Sequence, residues 1–219
     1  MSSTTLYRLS GVAIILGALL AVIGNVLSSI LFPGNDPHQY VSALWLPVSL
    51  LSFVGQLVLA LGVPGIVVRQ ASRAGALGLI GFVLTALGGS LFGSFGVIAV
   101  TVLPWIAQAA PKLAATNGPP SLFVYFLVAS LLLAVGGVLL GIVTMRAGVL
   151  PRWAGLLLII GAVLNLVDFP LSGAISSIVG TVAFVVFMLG LAWLGYALIS
   201  VKSAEVAQQP QLVPSQAGS

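Results

Sequence analysis

Apolar positions in this chain come as unbroken runs, neither alternating nor gathered into one stripe of an amphipathic helix. Six runs are long: 9–31, 44–68, 74–103, 122–145, 153–169 and 174–199. A helix rises about 1.5 Å per residue, so about 20 apolar residues cross a bilayer's hydrocarbon core. Each run is therefore predicted as a membrane-spanning helix, the fifth being the shortest. Pro33, Pro104, Pro151 and Pro170 stand at the edges, where a residue without an N–H ends or redirects a helix. A membrane barrel would need short alternating strands. The pattern predicts an all-α, polytopic transmembrane bundle over 1–202, six spans paired as three helical hairpins.

The ends of the chain fit this picture. Arg8 followed by an apolar run resembles a signal peptide, but the run is longer than an h-region and no small-x-small cleavage site follows. It is read as a retained first span. The tail, 203–219, is rich in Gln, Ser, Ala and Pro and is expected to be a disordered cytoplasmic segment.

Composition sharpens the reading. Hydrophobic residues make up 60% of the chain and charged residues 5%, with a mean hydropathy of +1.25. A soluble surface carries roughly 25% charge, so lipid is the principal solvent. The net charge of +4 comes from seven basic residues scattered at run ends, not from a patch suited to nucleic acid. The absence of cysteine removes disulfides, thiolate metal sites and a Cys nucleophile.

The basic residues alternate by side. In a six-span arrangement Arg8, Arg69, Arg73, Arg146, Arg152 and Lys202 fall on one side, and Lys112 alone on the other. Positive loops stay inside, which places both termini in the cytoplasm and the protein in the cytoplasmic membrane. Tyr40, Trp45, Trp105 and Tyr125 then lie near the outer interface, and Tyr7, Trp153, Trp193 and Tyr196 near the inner one, where amphipathic rings are favoured. The Arg69–Arg73 and Arg146–Arg152 pairs also suit anionic headgroups, although orientation alone accounts for them. Of the outward loops, 104–121 is the longest and is expected to hold a short surface helix near 105–115.

A weak internal repeat runs through the hairpins. Gly11 and Gly17 follow Arg8, Gly75 and Gly81 follow Arg73, and Gly155 and Gly161 follow Arg152; Gly65, Gly141 and Gly195 recur near the ends of the even spans. Triplication of one hairpin explains this, and so does the abundance of glycine. Small residues also form i, i+4 rows that let helix backbones approach: Gly17 and Ala21 in the first span, Gly81, Gly89 and Gly93 in the third, Gly137 and Gly141 in the fourth. These are helix-packing candidates, either within the bundle or, on the third span, as a homodimer face. Gly88, Gly89, Gly93 and Gly96 make that span a candidate for a kink.

Chemistry has few places to live. Counted from the basic end of its own span, Asn25 lies about 25 Å along, Asn165 and Gln56 about 20 Å, and Asp168 about 24 Å. These four share the outer half of the bilayer, as does Ser130, and Asn165 and Asp168 share a helix face. They are the candidate ligand-binding residues of an outward polar vestibule. Interhelical hydrogen-bond glue is the alternative for the amides, and water beyond a short span the alternative for Asp168. His38 and Asp36 are too few for a metal site. No nucleophile–base–orienter set and no phosphate loop is present, so the chain is read as a non-enzyme with no cofactor and no metal.

The segments Leu6-Tyr7-Arg8-Leu9-Ser10-Gly11 and Met145-Arg146-Ala147-Gly148-Val149-Leu150-Pro151-Arg152-Trp153-Ala154-Gly155 resemble bacterial six-span integral membrane proteins grouped only as a family of unknown function. The resemblance covers about nine-tenths of the chain, rests on insertion and packing signals, and implies no activity or site residue. Two functions are therefore carried forward. One is binding or passing a small or lipid-like ligand through Asn25, Gln56, Asn165 and Asp168. The other is an accessory or scaffold role in which small-residue faces dock a second copy or another membrane protein. Membrane lipids are the partners common to both.

Overall fold

The computed structural model describes residues 3–34, 36–114, 116, 118–168, 170–171 and 173–200; the proposed tail, 203–219, lies outside them. The described residues are all-helical. In order the helices are α1 (Ser3–Leu31), α2 (Pro37–Tyr40), α3 (Trp45–Gly62), α4 (Pro64–Val97), a π-helical turn (Ile98–Val102), α5 (Leu103–Ala109), α6 (Pro111–Ala114), α7 (Pro120–Ala147), α8 (Arg152–Asp168) and α9 (Gly173–Ile199).

Local chemistry sets where these helices bend. Pro64 has no N–H for the Ala60 carbonyl, so α3 and α4 are offset at Val63, whose own N–H still reaches the Leu59 carbonyl at 3.1 Å. Helical structure nevertheless continues to Ala71, past the expected end at 68. The true corner is Gly75, at φ 56° within α4, a left-handed value that favours glycine. Beyond it the helical stretch runs to Ala109 through the π turn, with Pro104 in the first turn of α5. Where a surface helix near 105–115 was expected, α5 continues the long stretch to Ala109 and α6 is a separate short turn; residue 115 lies outside the described residues. The backbone stays helical at Gly88–Gly96, where a kink was expected. Two of those glycines let neighbours approach: a Cβ at Gly88 would stand 2.6 Å from the Leu133 backbone nitrogen, and one at Gly96 2.6 Å from the Phe53 ring.

Among the described residues five helical stretches are long and apolar enough to cross a membrane: Thr4–Leu31, Trp45–Ala71, Arg73–Ala109, Pro120–Ala147 and Gly173–Ile199. The expected fifth span, α8, has 17 residues, a length of about 25 Å against a hydrocarbon core of about 30 Å.

The helices pack in the spatial order α3, α1, α9, α8, α7, α4, and α3 meets α4 and the π turn to complete the circuit. Several contacts are backbone to backbone. A Cβ at Gly55 would lie 2.8 Å from the Gly17 carbonyl oxygen, one at Gly155 2.6 Å from that of Gly141, and one at Gly195 2.9 Å from that of Gly11. With hydrocarbon outside and inside alike, such close approach supplies the packing energy.

The arginines gather at one end, Lys112 of α6 lies at the other, and Lys202 falls outside the described residues. Arg69 is buried, its guanidinium 5.9 Å from the Tyr7 ring centroid. Arg73 donates to the Ala147 carbonyl at 3.3 Å, capping the last turn of α7, which Gly148 closes at φ 64°. The largest fully buried apolar side chains are Ile14, Ile66, Leu140, Leu158, Leu194 and Leu198. Ile14, Ile66, Leu140 and Leu158 each lie within about 10 Å, along their helices, of Arg8, Arg69, Arg146 and Arg152 in turn, and Leu194 and Leu198 join the same buried cluster. The first turns of α4 lean into this half, burying Ile66 and Gln70, and Gln70 Nε2 donates to Thr144 Oγ1 at 3.1 Å.

Candidate functional site

The opposite end is built differently. Phe32 and Tyr40 stack edge-on against Trp45, with centroids 5.1 and 4.7 Å away. The Trp45 indole N–H donates to the Ala99 carbonyl at 2.8 Å. A buried indole needs such a partner, and Ala99 lies in the π turn, where the regular i→i−4 ladder is interrupted. Tyr125 donates its hydroxyl proton to the Leu91 carbonyl and lies against Ser94. These bonds tie α3 to the π turn and α7 to α4, framing one end of the bundle.

Within this half lie the residues expected to form the vestibule. Asn165 and Asp168 stand on one face of the last turns of α8, as their spacing requires. Asp168 turns towards α9 at Gly180, where a Cβ would meet its Oδ2 at 2.7 Å; glycine there makes room for the carboxylate. Asn25 lies on α1, on the other side of α9 from α8. Gln56, on α3, directs Oε1 towards Gly93 of α4, where a Cβ would stand 3.5 Å away. Among the described residues no hydrogen bond joins these four side chains to one another. The sequence placed them at one level; the fold distributes them over three helices.

Their oxygens are the informative atoms. Asn25 Oδ1, Asn165 Oδ1 and Asp168 Oδ1 are each buried with no hydrogen-bond partner. A buried acceptor without a donor costs about 1–3 kcal/mol. Three in one half of a bundle, all acceptors, make a local demand for N–H, O–H or positive charge.

Other expected positions resolve structurally. Asp36 Oδ1 accepts from the His38 backbone N–H at 3.0 Å, which makes it the N-cap of α2, and no cluster of three metal-ligating side chains occurs among the described residues. Of the packing candidates, Gly17, Ala21 and Gly55 meet across α1 and α3. Gly81 faces the Leu140 backbone, Gly137 faces Ala162 and Phe187, and Gly141 faces Gly155. Gly93 has only Gln56 near it, and Gly89 meets nothing within 4 Å. Two buried polar ties escaped sequence reasoning, Gln70 with Thr144 and Trp45 with Ala99. For the first a signal existed: Ile66, Gln70 and Ala74 continue the i, i+4 row of a helix where a loop was expected.

Comparison with protein-family models, with curated proteins and with solved structures finds no match to this chain.

Proposed function

We propose that the chain is a six-span bundle of three hairpins in a bacterial cytoplasmic membrane, both termini inside. In this reading it binds a small donor-rich or cationic ligand through an outward site of Asn25, Gln56, Asn165 and Asp168. The pairing of α1 with α3, α4 with α7 and α8 with α9 supports the hairpins, and the short α8 would bring Asp168 close to outer water. One observation carries the function: three buried oxygens without donors lie in the half opposite the arginines. The other half is packed with apolar side chains and crossed by α4, which favours binding over free passage. No catalytic step is assigned.

The test uses the full chain reconstituted in nanodiscs and a panel of sodium and small primary and quaternary amines. At least one cation is expected to raise the unfolding temperature of the native chain, with the gain lost in Asp168→Asn. No response across the panel, or an undiminished response in Asp168→Asn, overturns the reading. For orientation, Ser42→Cys is expected to react with an impermeant thiol reagent added outside cells and Ser200→Cys not to react.

The open space at Gly89 favours a second reading, a scaffold that docks a second copy or another membrane protein there. Gly89→Leu would then strip a crosslinked species. Retention of every such species removes that face.

A further inference from the structure

A cavity of about 210 Å³ opens between α4 and α7 at the arginine end, away from the polar residues just described. Arg73 and Arg146 stand at its mouth, and Leu77, Leu139, Ile142 and Val143 are among its walls. Both arginines are exposed. Among the described residues neither meets a carboxylate, and Arg146 makes no hydrogen bond. Arg73 commits one nitrogen to the Ala147 carbonyl, and a guanidinium has five N–H donors. Two positive forks therefore face one opening with donors to spare.

The walls are as telling as the mouth. Ile142 and Leu139 lie one and two turns from Arg146 on α7, and Leu77 lies on α4 just beyond the Gly75 corner. The apolar lining thus extends about 6–10 Å along α7 from the Arg146 level. In a membrane this direction runs from headgroup to hydrocarbon. Arg69, the other basic residue of this corner, turns to Tyr7 instead.

We infer that this cleft binds an anionic phospholipid, the phosphate held between Arg73 and Arg146 and an acyl chain laid along Leu77, Leu139 and Ile142. Paired guanidinium groups recognise phosphate oxygens in bidentate fashion. The aliphatic walls offer nothing to a free anion, which commits the site to a lipid. A zwitterionic headgroup brings its own ammonium to compete, so net negative lipids are preferred. Arg73 lies two residues from the Gly75 corner, so the bound lipid braces the bend in α4 against the end of α7. The inference rests on the membrane setting but not on the polar site at the other end; loss of lipid binding with an intact amine response would overturn only the lipid site.

The experiment measures phosphatidylglycerol and phosphatidylcholine retained by the full chain released from mixed-lipid nanodiscs, by native mass spectrometry. The native chain is expected to retain phosphatidylglycerol selectively. Arg73→Gln with Arg146→Gln should weaken that retention about 30-fold, as two basic residues near a membrane surface allow. Arg8→Gln with Arg152→Gln, equal in charge change, should alter it less than about 3-fold. Ile142→Trp keeps both arginines and fills the cavity, and should also lose the selectivity. Equal losses in the two arginine double variants would mean diffuse attraction and overturn the site. So would selectivity surviving Ile142→Trp, or inorganic phosphate displacing the lipid at equal concentration. If the first double variant does not fold, Ile142→Trp decides alone.

Discussion

Gln70 and Asn25 are both amide side chains in apolar helices, and the fold treats them in opposite ways. Gln70 is buried in the arginine half and donates to Thr144 across the bundle. Asn25 lies in the other half, with its oxygen buried and no donor within reach. The same contrast separates their surroundings. Around Gln70 the helices close on Ile66, Leu140 and Leu198. In the half of Asn25, Asn165 and Asp168, the side chains of Trp45 and Tyr125 bond between helices on the frame. The comparison teaches that polarity within a membrane bundle has two uses, told apart by partners and not by residue type. A paired amide fixes the register of helices, and an unpaired oxygen waits for something the chain does not supply.

The contrast is broken most severely by filling a backbone contact. Gly155→Leu forces a side chain against the Gly141 carbonyl, where even a Cβ would come within 2.6 Å. The expected result is loss of folded protein, or destabilisation of about 3 kcal/mol or more, in a denaturant titration in micelles. Gly89→Leu, facing open space, should change stability by less than about 1 kcal/mol. Next in size is the Gln70–Thr144 tie. Gln70→Leu or Thr144→Val alone should each cost about 1–3 kcal/mol, and the double variant less than the sum, since removing both partners leaves no unpaired polar group. Additive losses in the double-mutant cycle would mean the two do not act together.

Trp45→Phe keeps the stacked ring and removes the N–H held by Ala99; about 1 kcal/mol is expected, read as an earlier midpoint. The sharpest test lies in a sign: here no loss of stability is expected at all. Asn25→Leu and Asn165→Leu remove acceptors that have no donor, so stability should be unchanged or should rise by up to about 1–3 kcal/mol. A loss equal to that of Gln70→Leu would show that these amides are structural and would end the distinction between the two halves.

Much of this was legible in the chain itself. Runs of twenty or more apolar residues have one low-energy form in lipid, because a helix satisfies its own backbone hydrogen bonds; the all-helical class and most helix bounds follow from that alone. The glycine rows around Gly17, Gly81 and Gly141 were equally readable, since spacing places them on one face. Corners were less so. Pro64 and Gly75 were visible as residues, but their separate effects depended on which carbonyl lost its donor and which φ the chain needed. The depth of Asn25, Gln56, Asn165 and Asp168 came from counting residues at a fixed rise.

Only the tertiary structure decided which polar groups pair. Gln70 and Thr144 are 74 residues apart, and nothing local in either segment names the other. The order in which helices pack placed α9 between Asn25 and Asp168, left Gly89 facing open space and brought Arg73 beside Arg146. The reason is physical: local sequence determines backbone form and depth through rise, hydrogen bonding and hydrophobicity, whereas neighbours around a bundle are chosen by the fit of surfaces far apart in the chain.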